Sequence, residues 1–256
     1  MTDFAGHNRK AWDRERKLGN PATVPYSFET IEAAKCGRIS LSLTGRRTIP
    51  ESWYPPLAGA KVICVALGGG QQVPLLAAAG AHVLSLDNSP AQLAADEETA
   101  RRSNLSIQTV LGDMTNLGAF SQGSFDLAVV GLGTQFVEDP GEIWRGLASV
   151  VRPQGRLLCA FVNPVQYLFR WPEYSEGILQ VAHALPYSDL TSLTAHERSA
   201  RFHPEDPIEF GHTLEQTLGG LMSSGFSVDG FLEDRAEGDP LAPYMATYYA
   251  IGALRR

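Results

Sequence analysis

Three consecutive glycines, Gly68-Gly69-Gly70, close an apolar run that begins at Val62, and a carboxylate follows at Asp87. Glycine puts no side chain between the backbone and whatever sits above it, so a ligand can approach the main chain closely. A carboxylate about 20 residues past the start of such a loop, at the tip of the next strand, can accept hydrogen bonds from both hydroxyls of a ribose. Together the two features predict a nucleoside-containing cofactor. On the residues alone, the identity of the cofactor stays open. A dinucleotide site wants G-x-G-x-x-G, and here Gly68 and Gly70 fill the first two places while Val73 stands in the third.

Such residues work only if a frame brings strand ends together, and the chain has the rhythm of one. Lys61–Leu67 reads as a strand buried on both faces. A helix follows over Gln71–Ala79, with Pro74 in its first turn and Gly80 at its end. His82–Asp87 is the second strand. Ser89-Pro90-Ala91-Gln92 supplies an N-cap, an N1 proline and a capping-box glutamine for a helix to about Arg102. Ile107–Leu111 and Phe125–Val130 are the third and fourth strands. Asp139-Pro140 opens a helix to about Val151, and Arg152-Pro153-Gln154-Gly155 turns into a fifth strand, Arg156–Phe161. Thr213-Leu-Glu-Gln216 is a further capping box, for a helix to about Ser224. Phe226–Leu232 and Met245–Ala253 are two strands whose connection is too short for a crossover helix, so they should pair antiparallel.

Strands alternating with helices predict right-handed βαβ units. The expected fold is α/β: a doubly wound, seven-stranded, mostly parallel sheet ending in an antiparallel hairpin, in a single domain over 1–256. Residues 1–56 should form an N-terminal helical cap, with helices near 7–18 and 29–36 and a proline-bearing connector from Arg38. Residues 164–212 lack periodicity and read as an insertion over the strand ends, a lid that binds substrate.

The chain has 256 residues and a formal net charge of −7, which argues against a nucleic-acid partner, because phosphate contacts need a basic surface. Cys64 and Cys159 sit in apolar runs and read as core residues. No CxxC or His-rich spacing points to a metal or a disulfide framework. The first twenty residues lack an apolar signal-peptide core, and no apolar run reaches the roughly 18 residues needed to span a membrane. A reducing cytoplasm is the expected location.

Six motifs in register resemble the class I S-adenosylmethionine-dependent methyltransferases: Gly68-Gly69-Gly70, Asp87, Asp113-Met114, Phe125-Asp126, Pro153-Gln154-Gly155 and the terminal strand pair. The chain looks closest to small bacterial methyltransferases whose loop reads Gly-Gly-Gly-Gln-Gln, followed by Asn-Ser-Pro-x-Gln-Leu, here Asn88–Leu93. It departs from many members at two places: Cys64 stands where they have an acid and Ala66 where they have a glycine.

The resemblance implies S-adenosyl-L-methionine as cofactor and in-line methyl transfer to a small, aromatic or apolar molecule. It implies that Gly68, Gly69 and Gly70 pass under the methionine part. Asp87, with Asn88 beside it, would hold the ribose, Asp113 and Met114 the adenine, and Gly131 the floor near the methyl group. Proton-handling candidates are His183, Gln135 and Glu138, with His196, His203 and His212 also in or beside the insertion. Tyr26, Tyr167, Trp171 and His203 are candidate acceptor contacts, among further insertion aromatics that include Tyr174, Tyr187 and Phe202. Alternatives on the same fold are an NAD(P)-dependent oxidoreductase and a non-catalytic binding module. The sulfonium could also be opened at a carbon other than the methyl.

Overall fold

In a computed structural model, described over residues 3–171, 173–201 and 203–256, the predicted rhythm folds into one seven-stranded sheet. Its strands are β1 (Lys61–Val65), β2 (His82–Asp87), β3 (Ile107–Leu111), β4 (Phe125–Val130), β5 (Val151–Val162), β8 (Phe226–Asp234) and β9 (Tyr248–Arg255). A separate two-stranded ribbon, β6 (Tyr187–Ser188) and β7 (Phe210–Gly211), lies between β5 and β8 in the chain. The sheet order is β3-β2-β1-β4-β5-β9-β8. Pairing is parallel from β3 to β5, and β9 is antiparallel to both β5 and β8. Strand order reverses at β1 and β4, and in such sheets the crevice at that switch point is where ligands bind.

Period-two alternation builds two cores from one strand. Val62 and Cys64 point into the cluster made with α2 (Phe28–Lys35) and α3 (Gln72–Ala78), whereas Ile63 and Val65 point into the cluster made with α5 (Pro140–Val150). Trp144 on α5 is a fully buried anchor of the second cluster, and Gly220, opening α7 (Gly220–Ser223), lies against its ring. Both core cysteines are unpaired, and burial pushes the Cys159 thiol up to about 12.

Several sequence signals turn out to be structural ties. Asp126 accepts from the Lys61 amide at 2.8 Å and from Arg152 at 2.6 Å, pinning the starts of β1, β4 and β5 together. The Arg152 hydrogen bond holds its carboxyl below the usual range. The turn expected before the fifth strand is absorbed into β5 as an irregularity, with Gln154 at φ +62° and a register shift opposite Phe125–Leu127. The capping box at Thr213 forms as expected, but the helix opens with a π turn over Glu215–Gly219 before becoming α-helical.

Two segments cover the carboxyl ends of the strands. One is α1 (Phe4–Leu18); the other is the chain from 164 to 212, which carries the ribbon and α6 (Ala195–Arg201). Phe202 lies outside the described residues. Asn8 staples the two segments together: its Oδ1 accepts from the Ile208 amide at 2.8 Å and its Nδ2 donates to the Ile208 carbonyl at 3.1 Å. Arg14 pairs with Asp206, and Phe4 meets Phe210 edge-on. Asn8 is buried, so Asn8→Ala leaves two main-chain groups without partners, a cost of about 1–3 kcal/mol each. The expected result is a lower melting temperature and faster proteolytic cutting within residues 3–20. Wild-type cutting rates in the variant would show that α1 is held by other contacts.

Candidate active site

The glycine bend is held from three sides. From the strand side, the Gly68 amide donates to Asp87 Oδ2 at 3.2 Å. From below, Asp96 Oδ1 on α4 (Pro90–Arg102) accepts from the Gly69 amide at 3.2 Å and the Gly70 amide at 2.7 Å. From above, the Gln71 side-chain amide donates to the carbonyls of Pro21 (3.0 Å) and Val24 (2.7 Å). Gln72 donates to the Ser42 carbonyl at 2.9 Å. The paired glutamines therefore fasten the N-terminal segment onto the bend. Gly69 at φ +130° and Gly70 at φ +79° occupy backbone conformations that favour glycine. Ala66, in the place where many family members have glycine, also sits at positive φ, +48°, at the tip of β1.

Asp87 ends β2 with Oδ1 accepting from the Ser89 amide at 2.9 Å. Burial raises its pKa to about 6, against the hydrogen bonds from Ser89 and Gly68, which lower it. Ser89 caps α4 by accepting from the Gln92 amide, and its hydroxyl donates to Asp13 on α1 at 2.6 Å. Asn88 donates to the Ala5 carbonyl at 3.3 Å. Helix α1 is thus tied to the β2 tip as well as to the 206–208 segment.

Two cavities meet over these strand ends. The smaller, about 360 Å³, is lined by Leu86, Asp113, Met114, Thr115, Val137 and Glu138 among others. The larger, about 690 Å³, is roofed by Asn8, Trp12 and Glu15 of α1 and floored by Leu67, Gly68, Gly131, Leu132 and Gly133. Ala66, Asp87, Asn88, Met114 and Phe136 line both. The floor is tight, since a Cβ at Gly131 would stand 2.5 Å from the Ala66 carbonyl oxygen. A third groove, about 530 Å³ and lined by Ala34, Tyr54 and Gly80, lies by the loops that feed the amino ends of β1 and β2. It is at the wrong end of a parallel sheet for the expected site.

The sequence-derived candidates distribute unevenly. Gly68, Gly131, Gln135 and Trp171 line the larger cavity, Asp87, Asn88 and Met114 line both, and Asp113 and Glu138 line the smaller. Asp113 Oδ1 accepts from the Thr115 amide and hydroxyl, both at 2.8 Å. Gln135 is buried, with Oε1 unpartnered in the protein. Its turn is backed by His212, whose Nε2–H donates to the Thr134 carbonyl at 3.1 Å and whose pKa is lowered by burial. Six candidates lie off the lining: Gly69 and Gly70, whose amides are taken by Asp96, and four residues with larger side chains. Tyr26 donates its amide to the Gly70 carbonyl and packs into the core. Tyr167 is buried and donates its hydroxyl to Glu209 Oε2 at 2.9 Å. His183 packs on the Tyr187 ring, and His203 is exposed beside Glu205.

Sequence reasoning missed Asp96, Gln92, Glu209 and Tyr248. One signal was present: Gln92, Asp96, Thr99 and Ser103 put polar side chains along the buried face of α4, where a helix packed on a sheet should be apolar. Glu209 and Tyr248 carry no such signal, because only the tertiary fold brings them to the larger cavity.

Residues 63–159 match a methyltransferase domain. The chain is 40% identical over 255 residues to the uncharacterized methyltransferase YbaJ of Bacillus subtilis (strain 168), covering all of both chains. This chain belongs to the S-adenosylmethionine-dependent methyltransferases. It is also 34% identical over 215 residues to a demethylmenaquinone methyltransferase of Clavibacter sepedonicus, covering 81% of this chain and 83% of that one. The fold is similar to that of an S-adenosylmethionine-dependent methyltransferase from Mesorhizobium loti (TM-score 0.60, 21% identity, 80% and 94% of the two chains). It is likewise similar to magnesium protoporphyrin IX methyltransferase of Synechocystis PCC 6803 with S-adenosylhomocysteine bound (TM-score 0.56, 17% identity, 97% and 95%). Membership decides the question the glycine bend left open: this methyltransferase uses S-adenosylmethionine as methyl donor. Among the described residues, no helix is long and apolar enough to cross a membrane.

Proposed function

We propose that this methyltransferase methylates a small aromatic molecule, held under helix α1 in the larger cavity while the donor lies across the junction of the two. The observation that carries this reading is the pair of joined cavities, which share Asp87 and Met114. The residues suit the donor. A Cβ on Gly68 would stand 2.9 Å from Gln92 Cβ and 3.0 Å from Asp87 Oδ2, so only glycine lets the bend pack this closely on the acid that would hold the ribose. Gln92 Oε1, beside Gly69, is buried without a partner and can accept from an ammonium group. Asp87 would hold the ribose hydroxyls, and Asp113 with Met114 the adenine.

Bound S-adenosylmethionine supplies a methyl group on a sulfonium, activated for displacement. The protein's part is alignment and exclusion of water. Helix α1, tied down through Asn8, Asp13 and Asn88, closes the chamber. Trp12, Phe136, Trp171, Tyr174 and Tyr248 give it aromatic walls. Glu209 faces the same chamber, oriented by the Tyr167 hydroxyl, and can take the proton from an acceptor hydroxyl. The demethylmenaquinone relative, by its name, acts on a molecule of the quinone class, which favours a flat aromatic acceptor.

The test is methyl transfer from labelled S-adenosylmethionine to a panel of phenols, hydroquinones and aliphatic alcohols. Transfer to hydroxyl-bearing aromatics is expected, with Glu209→Gln lowering kcat about 10²-fold or more while leaving S-adenosylhomocysteine affinity unchanged. Transfer to the aliphatic compounds alone would refute the aromatic acceptor. Full turnover in the Gln variant would remove Glu209 from the chemistry.

A further inference from the structure

The glycine bend rests on a carboxylate that none of its motifs includes. Asp96 is fully buried in the middle of α4. Its Oδ1 takes the amides of Gly69 and Gly70, and its Oδ2 accepts from the Ser85 hydroxyl of β2 at 2.8 Å. Three successive amides of the bend are therefore claimed by two acids, Gly68 by Asp87 and the next two by Asp96. Burial raises the Cys64 thiol of β1 well above the ordinary thiol range, and the charge on Asp96 adds to the shift. The bend has few other ways to satisfy these amides: Pro25, Thr99 and Ala95 already crowd Gly70, and Ala22 and Thr23 crowd Gly69.

We propose that Asp96 is a positioning residue for the methyl-donor site: its ionised carboxylate fixes the shape of the Gly69-Gly70 bend from below, and protonation of that carboxylate loosens the bend and weakens donor binding. The inference rests on the donor-site reading above. The groups acting on the Asp96 charge are the Gly70 and Gly69 amides and the Ser85 hydroxyl, which favour it, and the Asp87 carboxylate, which opposes it. Burial is the largest influence, and it pushes the Asp96 pKa up to about 7. The acid thus changes charge near neutrality, where an unperturbed aspartate would stay ionised. A carboxylate accepts two amides and a hydroxyl at once, whereas the protonated acid must turn one oxygen into a donor and gives up an acceptor. A donor site that needs the ionised form therefore releases protons on binding at pH below about 7.

The experiment is calorimetric titration of the full chain with S-adenosylhomocysteine from pH 5.5 to 8, in two buffers of different ionisation heat. Wild type is expected to bind about tenfold more weakly at pH 5.5 than at pH 8 and to release protons on binding. Asp96→Asn keeps the shape and an oxygen for the two amides but cannot ionise. It should bind about fivefold more weakly than wild type at pH 8, and its affinity should be flat from pH 8 to 6.5. Asp96→Ala should lose more than tenfold; if it fails to fold, the Asn variant alone decides the matter. An Asn variant with wild-type affinity and the wild-type pH profile would overturn the role of Asp96 while leaving the donor site in place. Wild type that binds no S-adenosylhomocysteine at any pH would instead sink the donor-site reading itself.

Discussion

Asp87→Ala lowers the affinity for S-adenosylhomocysteine by at least tenfold, equivalent to about 1.4 kcal/mol or more, without lowering the stability of the fold at pH 7–8. The two halves have one cause. The β2 tip places this carboxylate where both cavities meet, and burial raises its pKa to about 6. An acid whose folded value lies above its unfolded value of 3.8 favours the protonated native state. Its contribution to stability is complete below the unfolded value and is lost as pH rises through about 6. Holding it ionised at neutral pH costs the fold on the order of 2–3 kcal/mol. Removing it relieves that cost but leaves the Gly68 and Ser89 amides to find water, so the net change in stability is small or favourable. Ligand binding runs the other way, because ribose hydroxyls need the ionised form, and wild-type affinity falls as pH drops through about 6. Unchanged calorimetric affinity in the variant would count directly against a nucleoside at this position. A large fall in melting temperature at pH 8 would mean that the carboxylate is structural.

Gly70→Ala is expected to cost about 2–5 kcal/mol, the sum of about 1–2 for a left-handed conformation and about 1–3 for overpacking. Gly70 has φ +79°, and an added Cβ would lie 2.7 Å from Thr99 Oγ1, 2.8 Å from Pro25 Cβ and 3.0 Å from the Ala95 carbonyl oxygen. The last of these is main chain of α4 and cannot swing aside. For a chain of this size the melting temperature should drop by about 5–15 °C, and donor binding should go with it. Gly19→Ala is the control. That glycine has a similar φ, +74°, but nothing within 4 Å of the added atom, so it isolates the conformational part. Equal calorimetric shifts in the two variants would show that the bend is not tightly packed.

The frame was legible in the sequence because it is written in local patterns. Ser89-Pro90-Ala91-Gln92 caps its helix as its residue types require, with the Ser89 hydroxyl accepting from the Gln92 amide. The second to fourth strands have the bounds that their apolar runs predict. Phe125-Asp126 was readable as a motif but not as a tie, because its partners Lys61 and Arg152 are neighbours only once the sheet has formed. The histidines stood out by residue type alone, and their positions were not legible for a related reason. The unperturbed imidazole pKa lies near neutral, which singles out histidine by type wherever it occurs in a chain, yet His203 is exposed and His183 lies on Tyr187.

The sequence by itself determined the α/β order, the glycine bend and the acid at the end of β2, carried by short-range spacing and strand periodicity, and its motifs resemble those of the family to which the chain belongs. Only the tertiary structure decided what holds the bend and what closes the chamber. Asp96 reaches the Gly69 amide across 27 positions, and Asn8 reaches Ile208 across 200. The polar stripe on α4 marks Asp96 as unusual, but nothing in the local pattern of a chain names the partner of a pairing of that span. Such pairings exist because folding buries polar groups that must then find partners, and which partner is within reach depends on how the elements pack.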